Sequence, residues 1–292
     1  MKILISDAFD PSLPDKLSKY GEVTDDKGQL ADADVVLIRS KTKCTKEYID
    51  SAPKLKMILR GGVGLDNVDR EYAKEKGIIV SNTAEASAIA VAELAFALML
   101  SMPNNILPGD ASMKQGEWKK KELKRSELYG KTLGLLGVGN IGTEVAKRAK
   151  AFGMNVLAYD PYLKSHEYAE LVGSLDDIIA KSDFLSLHMP LTDETKGMVN
   201  KDLIAKMKDG VYILNTGRGK CVVEEDVAEA LKSGKIKGYA TDVWYSDPPE
   251  STPLTSAPNT VCTPHIGAST KENLLRIGEV IDRLIGEYVK GK

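Results

Sequence analysis

Apolar residues along this chain fall in short continuous runs separated by stretches of helical spacing. The runs at 3–5, 35–38, 57–59 and 78–80 are unbroken (ILI, VVLI, MIL, IIV), the pattern of strands buried on both faces. Between them the spacing predicts helices near 14–20, around 48–51 and over 67–76, the last closed by Gly77. The rhythm resumes with runs at 133–136, 156–159, 184–187, 212–214, 239–241 and 261–263. Helical stretches stand between several of these, notably 175–180 after the capping candidate Ser174 and 224–233 before Gly234. Alternating strands and helices predict parallel sheets: a small α/β unit first, then a doubly wound sheet built on those six runs. The stretch 86–102, ASAIAVAELAFALMLSM, is borderline in length for a membrane span and carries Glu93. A helix buried between domains or subunits is the better reading.

The second half is organised around 129–160, where a strand runs into Gly137-Val138-Gly139-Asn140-Ile141-Gly142. Ile141, Val145, Ala149 and Phe152 then follow at helical spacing, and a second apolar run ends on Asp160. Each part has a physical use. Gly137 permits the tight turn, Gly139 lets backbone approach a pyrophosphate, and Gly142 lets helix pack on strand. The helix N-terminus offers unpaired N–H groups to phosphates. Asp160 stands where a carboxylate accepts both ribose hydroxyls and repels a 2′-phosphate, so the predicted cofactor is NAD rather than NADP. The bland alternative is a structural βαβ turn that binds nothing.

Composition narrows the classes. At 292 residues and 42% apolar the chain predicts two domains. With 40 basic against 42 acidic residues and no long basic block, neither nucleic acid nor an anionic membrane is indicated. Three cysteines without C-x-x-C spacing argue against disulfide or zinc frameworks and fit a reducing cytosol, hence a cytoplasmic protein with no metal site. The N-terminus, MKILISDAF, begins as a strand and not as a signal peptide.

Polar residues stand just beyond the predicted strands, where open parallel sheets bind ligands. In the first unit these are Arg39 and Arg60, with Gly61-Gly62-Val63-Gly64 following as a candidate anion nest. They read either as solvated charges or as a carboxylate or phosphate pocket. The basic run 119–121 after Trp118 reads, taken alone, as a solvated face. In the second unit they are the glycine turn, Asp160, His188, residues 215–219 (NTGRG), Asp242 and Pro264-His265. Only three histidines are present. His166 lies in a charged stretch and reads as a surface residue, whereas His188 ends a strand and could touch cofactor. His265, at the end of the last strand, is the best proton donor for an alkoxide formed by hydride transfer. Asp247 is the candidate to hold its ring, with Glu250 a poorer substitute, and Arg218 can grip a substrate carboxylate with two nitrogens.

The series RGGVGLDNVD (60–69), VAELAFALML (91–100), ELYGKTLGLLGVGNIG (127–142), NTGRG (215–219), DVWYSDPP (242–249) and TPHIGAST (263–270) resembles the D-isomer-specific 2-hydroxyacid dehydrogenases over almost the whole chain. The resemblance implies a catalytic trio on Arg218, Asp247 and His265. It implies cofactor contacts at Asn140, Ile141, Asp160, Met189, Thr216 and Asp242, beside Gly137, Gly139, Gly142 and His188 from the residue reading. In the phosphoglycerate-oxidising branch it further implies substrate contacts at Arg39, Arg60, Gly62, Val63 and Gly64. There Lys120, in the segment 119–121, would reach in from the other subunit of a homodimer. Two departures stand out: the family's usual acid is glutamate where Asp247 is one methylene shorter, and its partner-subunit arginine is lysine here.

Residues 1–85 with 268–292 are expected to form a smaller flavodoxin-like substrate domain, and 86–267 a Rossmann-type doubly wound NAD domain, with hinges near 82–85 and Gly267. A short form without a C-terminal regulatory domain is expected. The expected reaction interconverts a D-2-hydroxy acid and its keto acid, 3-phosphoglycerate above all. A glyoxylate or hydroxypyruvate reductase is the rival within the class, and an NAD-sensing, corepressor-like interaction protein the rival outside it.

Overall fold

The computed structural model describes residues 1–291. The chain divides into two compact units, Met1–Ala88 joined by the segment from Ala268 onward, and Ile89–Gly267. In the first unit five parallel strands, β1 (Lys2–Ile5), β2 (Glu22–Thr24), β3 (Val35–Ile38), β4 (Met57–Arg60) and β5 (Ile79–Asn82), pair in the order β2-β1-β3-β4-β5. That is the flavodoxin-like order, whose ligand crevice lies between β1 and β3. Successive side chains take opposite faces. Ile3, Ile5, Val35 and Leu37 pack in one cluster with Leu13, Leu17 and the C-terminal helix. Leu4, Val36 and Ile38 pack in another with Ile49 and Ala73.

Two local differences from the sequence reading have clear causes. Strand β2 has one apolar residue and sits at the sheet edge, so no run announces it. The helix expected from 67 spans Arg70–Glu75. Asp69 caps it, accepting the Tyr72 N–H at 3.0 Å. Asn67 serves the loops instead, its amide donating to the carbonyls of Arg39 and Thr42 at 2.7 and 2.6 Å. The first unit is closed by helix Lys271–Lys290, started by Thr270, whose hydroxyl accepts the Asn273 N–H. Ile277, Ile281 and Ile285 stand four apart on it and are fully buried, each contributing about 1.5–3 kcal/mol.

The second unit holds β6 (Thr132–Leu136), β7 (Asn155–Tyr159), β8 (Glu170–Leu171), β9 (Phe184–Leu187), β10 (Val211–Asn215), β11 (Ile236–Thr241) and β12 (Thr260–Cys262). They form one sheet in the order β12-β11-β10-β9-β6-β7-β8, and every pairing is parallel. This is the Rossmann order with one added strand, and its direction reverses between β6 and β9. The seventh strand, β8, is two residues long and escapes any periodicity test. Helices Ile106–Lys114 and Lys201–Lys206 were also unforeseen. Helix Ala84–Ser101 is long and apolar enough to cross a membrane, with mean hydropathy 1.6, yet 56% of it is buried. Its Ala92, Ala95, Phe96, Leu98 and Met99 belong to the second unit's core.

Candidate functional site

Strand β6 delivers the chain into the glycine turn at the sheet's switch point, and the three glycines have distinct surroundings. Gly137 has φ +86°, and a Cβ there would lie 3.1 Å from the backbone of His188 and Met189, so turn and β9 end pack backbone to backbone. A Cβ on Gly142 would meet the Gly137 carbonyl oxygen at 2.5 Å, so helix Asn140–Ala151 presses on its own turn. Around Gly139 nothing lies within 4 Å of the added atom. That open cradle, which a side chain would fill, suits the close approach of a pyrophosphate. Asn140 is exposed and Ile141 half-buried at the helix start. The Asp160 carboxylate is already oriented: one oxygen accepts the Val138 N–H at 3.1 Å, the other the Tyr162 N–H at 3.0 Å.

Across the switch point His188 follows β9, its Nε2 2.8 Å from the Ser186 hydroxyl and its Nδ1 3.4 Å from that of Thr216. Burial pushes its pKa down to about 4, so the ring is neutral near pH 7. The Met189 side chain joins the core, and its backbone lies against Gly137 and Gly217.

The loop after β10 is folded by Asn215, which is fully buried. Its side chain accepts the Gly217 N–H at 3.1 Å and donates to the Arg218 carbonyl at 3.0 Å. Two glycines bracket Arg218. A Cβ on Gly217 would sit 3.1 Å from the Leu187 carbonyl oxygen, and one on Gly219 would sit 2.3 Å from the Trp244 carbonyl oxygen. Both flanks of Arg218 are thereby pressed against neighbouring backbone. Its guanidinium donates to the Gly217 carbonyl at 2.8 Å.

Asp242, at the end of β11, is 2% exposed. One carboxylate oxygen accepts the Thr263 hydroxyl at 2.6 Å and the Ile266 N–H at 2.8 Å; the other accepts the Gly267 N–H at 2.8 Å. The loop 263–267 is thus wrapped around one carboxylate. Trp244 adds a bond from its indole N–H to the Thr263 carbonyl at 3.0 Å. Within that loop His265 has φ +53°, a left-handed conformation that costs on the order of 1 kcal/mol or more in a residue with a side chain. Its Nδ1 is hydrogen-bonded to Asp247. Both side chains are about half exposed, at 47% and 48%. The shorter acid therefore reaches the ring.

On the first unit's carboxyl edge, the register sets Ile38 opposite Arg60, so Arg39 lies one residue beyond it. Asp7, after β1, gathers this edge by accepting the N–H groups of Arg39 and Thr42 and the Thr42 hydroxyl. Burial opposes the Asp7 charge, but those bonds win and hold its carboxyl below the usual range. Arg39 Nε is buried with no hydrogen-bond partner among the described residues. The glycine nest is only partly as expected. The Gly61 N–H goes to Ile38 and the Gly62 N–H to the Thr83 hydroxyl, which leaves Val63 and Gly64 as the donors that can face a ligand. Lys120 is exposed in its loop, beside Lys119 paired to Glu117 at 2.6 Å and Trp118 at 75% exposure.

His166 is half-buried in its charged stretch, and its Nε2 lies 3.0 Å from the Thr143 hydroxyl on the glycine-turn helix. Its polar, charged surroundings in the sequence gave no sign of this. Nor did the run DVW reveal that Asp242 folds the His265 loop.

Residues 96–267 match the family described as D-isomer specific 2-hydroxyacid dehydrogenase, NAD binding domain. A D-3-phosphoglycerate dehydrogenase of Methanocaldococcus jannaschii is 43% identical over 304 residues, covering 100% of this chain and 58% of the relative. The chain thus spans little more than half the length of that relative. A hydroxypyruvate reductase of Thermotoga maritima is 48% identical over 262 residues, covering 88% of this chain and 86% of the relative. Among solved structures, a D-lactate dehydrogenase of Aquifex aeolicus complexed with NAD and lactic acid aligns with a TM-score of 0.86 at 31% identity. It covers 100% of this chain and 96% of that one.

Proposed function

This chain belongs to the D-isomer-specific 2-hydroxyacid dehydrogenases, with its NAD-binding domain in residues 96–267, and on that premise we propose that it interconverts a D-2-hydroxy acid and its 2-keto acid. The observation that carries the reading is the His265–Asp247 pair, set on the same sheet edge as the glycine turn and Arg218. With Nδ1 committed to the carboxylate, Nε2 is the nitrogen available to substrate. NAD(H), when bound, supplies or accepts the hydride. His265 gives or takes the proton on the substrate's C2 oxygen, and Asp247 holds the ring in place for that transfer. Arg218 binds the carboxylate and draws charge from the carbonyl oxygen. Gly137, Gly139 and Gly142 with the N–H groups at Asn140 and Ile141 cradle the pyrophosphate. Asp160 takes the ribose hydroxyls, while His188, Met189, Thr216 and Asp242 border the nicotinamide end.

The favoured substrate pair is 3-phosphoglycerate and 3-phosphohydroxypyruvate. A second anionic group needs its own cations, supplied by Arg39, with its buried unpartnered Nε, and Arg60, and the Val63 and Gly64 N–H groups add neutral donors. In a homodimer Lys120 of the partner subunit adds another. Reduction of unphosphorylated hydroxypyruvate is the second reading, favoured by the 48% identity to a reductase of comparable length. NADH consumption with 3-phosphohydroxypyruvate, hydroxypyruvate and glyoxylate separates them. A kcat/KM at least about tenfold higher for the phosphorylated acid is expected from one added charge-assisted contact. Equal values favour the reductase, and NADH binding without turnover on any keto acid favours a sensing protein.

A further inference from the structure

His166 is the one histidine that the proposed chemistry leaves unused, and its hydrogen bonds fix its tautomer. Its Nδ1 accepts the Tyr168 N–H at 3.2 Å, a group that can only donate, so the ring hydrogen is on Nε2. Nε2 then donates to the Thr143 hydroxyl at 3.0 Å, which leaves that hydroxyl's proton for the Val138 carbonyl oxygen at 3.2 Å.

These bonds form a chain with a direction. Tyr168 N–H donates to His166, His166 to Thr143, and Thr143 to the Val138 carbonyl. The Val138 N–H in turn donates to Asp160, and the backbone from Asp160 leads back to His166. The ring so closed contains the middle of the glycine turn, the first turn of its helix and the carboxylate that selects the ribose. We propose that His166 is a positioning residue of the dinucleotide site, tying the loop after Asp160 to the glycine turn so that carboxylate and turn N–H groups are set before cofactor arrives. The inference rests on the NAD site of the function proposed above and adds a residue to it. The relay is flanked by Glu144 and Lys147 on the helix, paired at 2.7 Å, and by Tyr168, whose ring lies 6.2 Å from that of His166 and under the Lys147 ammonium at 5.4 Å.

The test is NADH affinity, read by fluorescence titration of the full chain at pH 8, with 15N spectra of the imidazoles of the cofactor-free protein at the same pH. The expected spectrum has the His166 proton on Nε2. H166L should bind about 3–10-fold more weakly than wild type, the value of one net hydrogen bond. H166Q, which keeps a donor and an acceptor, should restore most of that loss. A proton on Nδ1, wild-type affinity in H166L, or binding in H166Q as weak as in H166L would each overturn the proposal. Because the spectrum needs no cofactor, a failure of the relay is distinguishable from a failure of NADH to bind.

Discussion

The two sheets end on similar residues at their carboxyl edges, arginines beside glycines and an aspartate that gathers a loop, but the edges are held in different ways. In the seven-stranded sheet the loops are locked backbone against backbone. Gly137 packs on His188, Gly217 on Leu187 and Gly219 on Trp244, while Asp242 spends both oxygens on the loop of His265. In the five-stranded sheet Asp7 and Asn67 gather the loops through side chains, and Arg39 keeps a buried nitrogen unpartnered. The first arrangement holds the His265 loop on the Asp242 carboxylate and presses the flanks of Arg218 against neighbouring backbone, the kind of positioning that the proposed hydride transfer would need. The second leaves an arginine nitrogen open, as the proposed binding of an anion would need.

The comparison can be broken most sharply at His265. His265→Asn should lower turnover by about 10²–10⁴-fold while NADH binding, followed by fluorescence, stays intact; unchanged turnover would remove His265 from the proton step. Next comes the lock itself. Gly219→Ala places a methyl 2.3 Å from the Trp244 carbonyl, and displacing Arg218 by about 1 Å should cost about 10²-fold in kcat/KM. An active Gly219→Ala enzyme would show the lock to be looser than its geometry. On the edge of the five-stranded sheet the effect should be smaller and selective. Arg39→Ala should lower kcat/KM for the phosphorylated keto acid by about 10–100-fold, the worth of a charged hydrogen bond, and leave glyoxylate unaffected. Equal losses on both substrates would sink the assignment of the first unit's edge to a phosphate.

The smallest effect is on stability. His188 has its folded pKa lowered to about 4, so the unfolded chain takes up the proton first. Its contribution to stability is intact above about pH 6.5 and falls as pH drops towards about 4, by at most about 1.4 kcal/mol per unit. Asp7 is held below the usual carboxylate range, so its contribution is present above the unfolded value of about 3.9 and is lost only below that. Thermal unfolding across this range should therefore show the His188 loss first, and His188→Gln should remove that phase while leaving the lower one.

Strands were legible wherever they are buried on both faces, as at 35–38 or 211–215, because a continuous apolar run has few other uses. They were not legible at β2 and β8, short edge strands whose residues pack on little. The glycine turn, Asp160, Arg218 and His265 could be singled out because each stands just past such a run, and Asp247 as the acid in the stretch DVWYSDPP that follows one. His166 could not, since its partner Thr143 lies 23 residues away and neither residue breaks a pattern.

The sequence by itself determined the two parallel sheets, the dinucleotide turn and the family, because these follow from local periodicity and from motifs contiguous along the chain. Only the tertiary structure decided which polar groups are already spent: the Gly62 N–H on Thr83, the Asp242 carboxylate on the His265 loop, the His166 ring on Thr143. Hydrogen bonds saturate and act over about 3 Å, so what a polar group can still do depends on neighbours that folding brings from far along the chain.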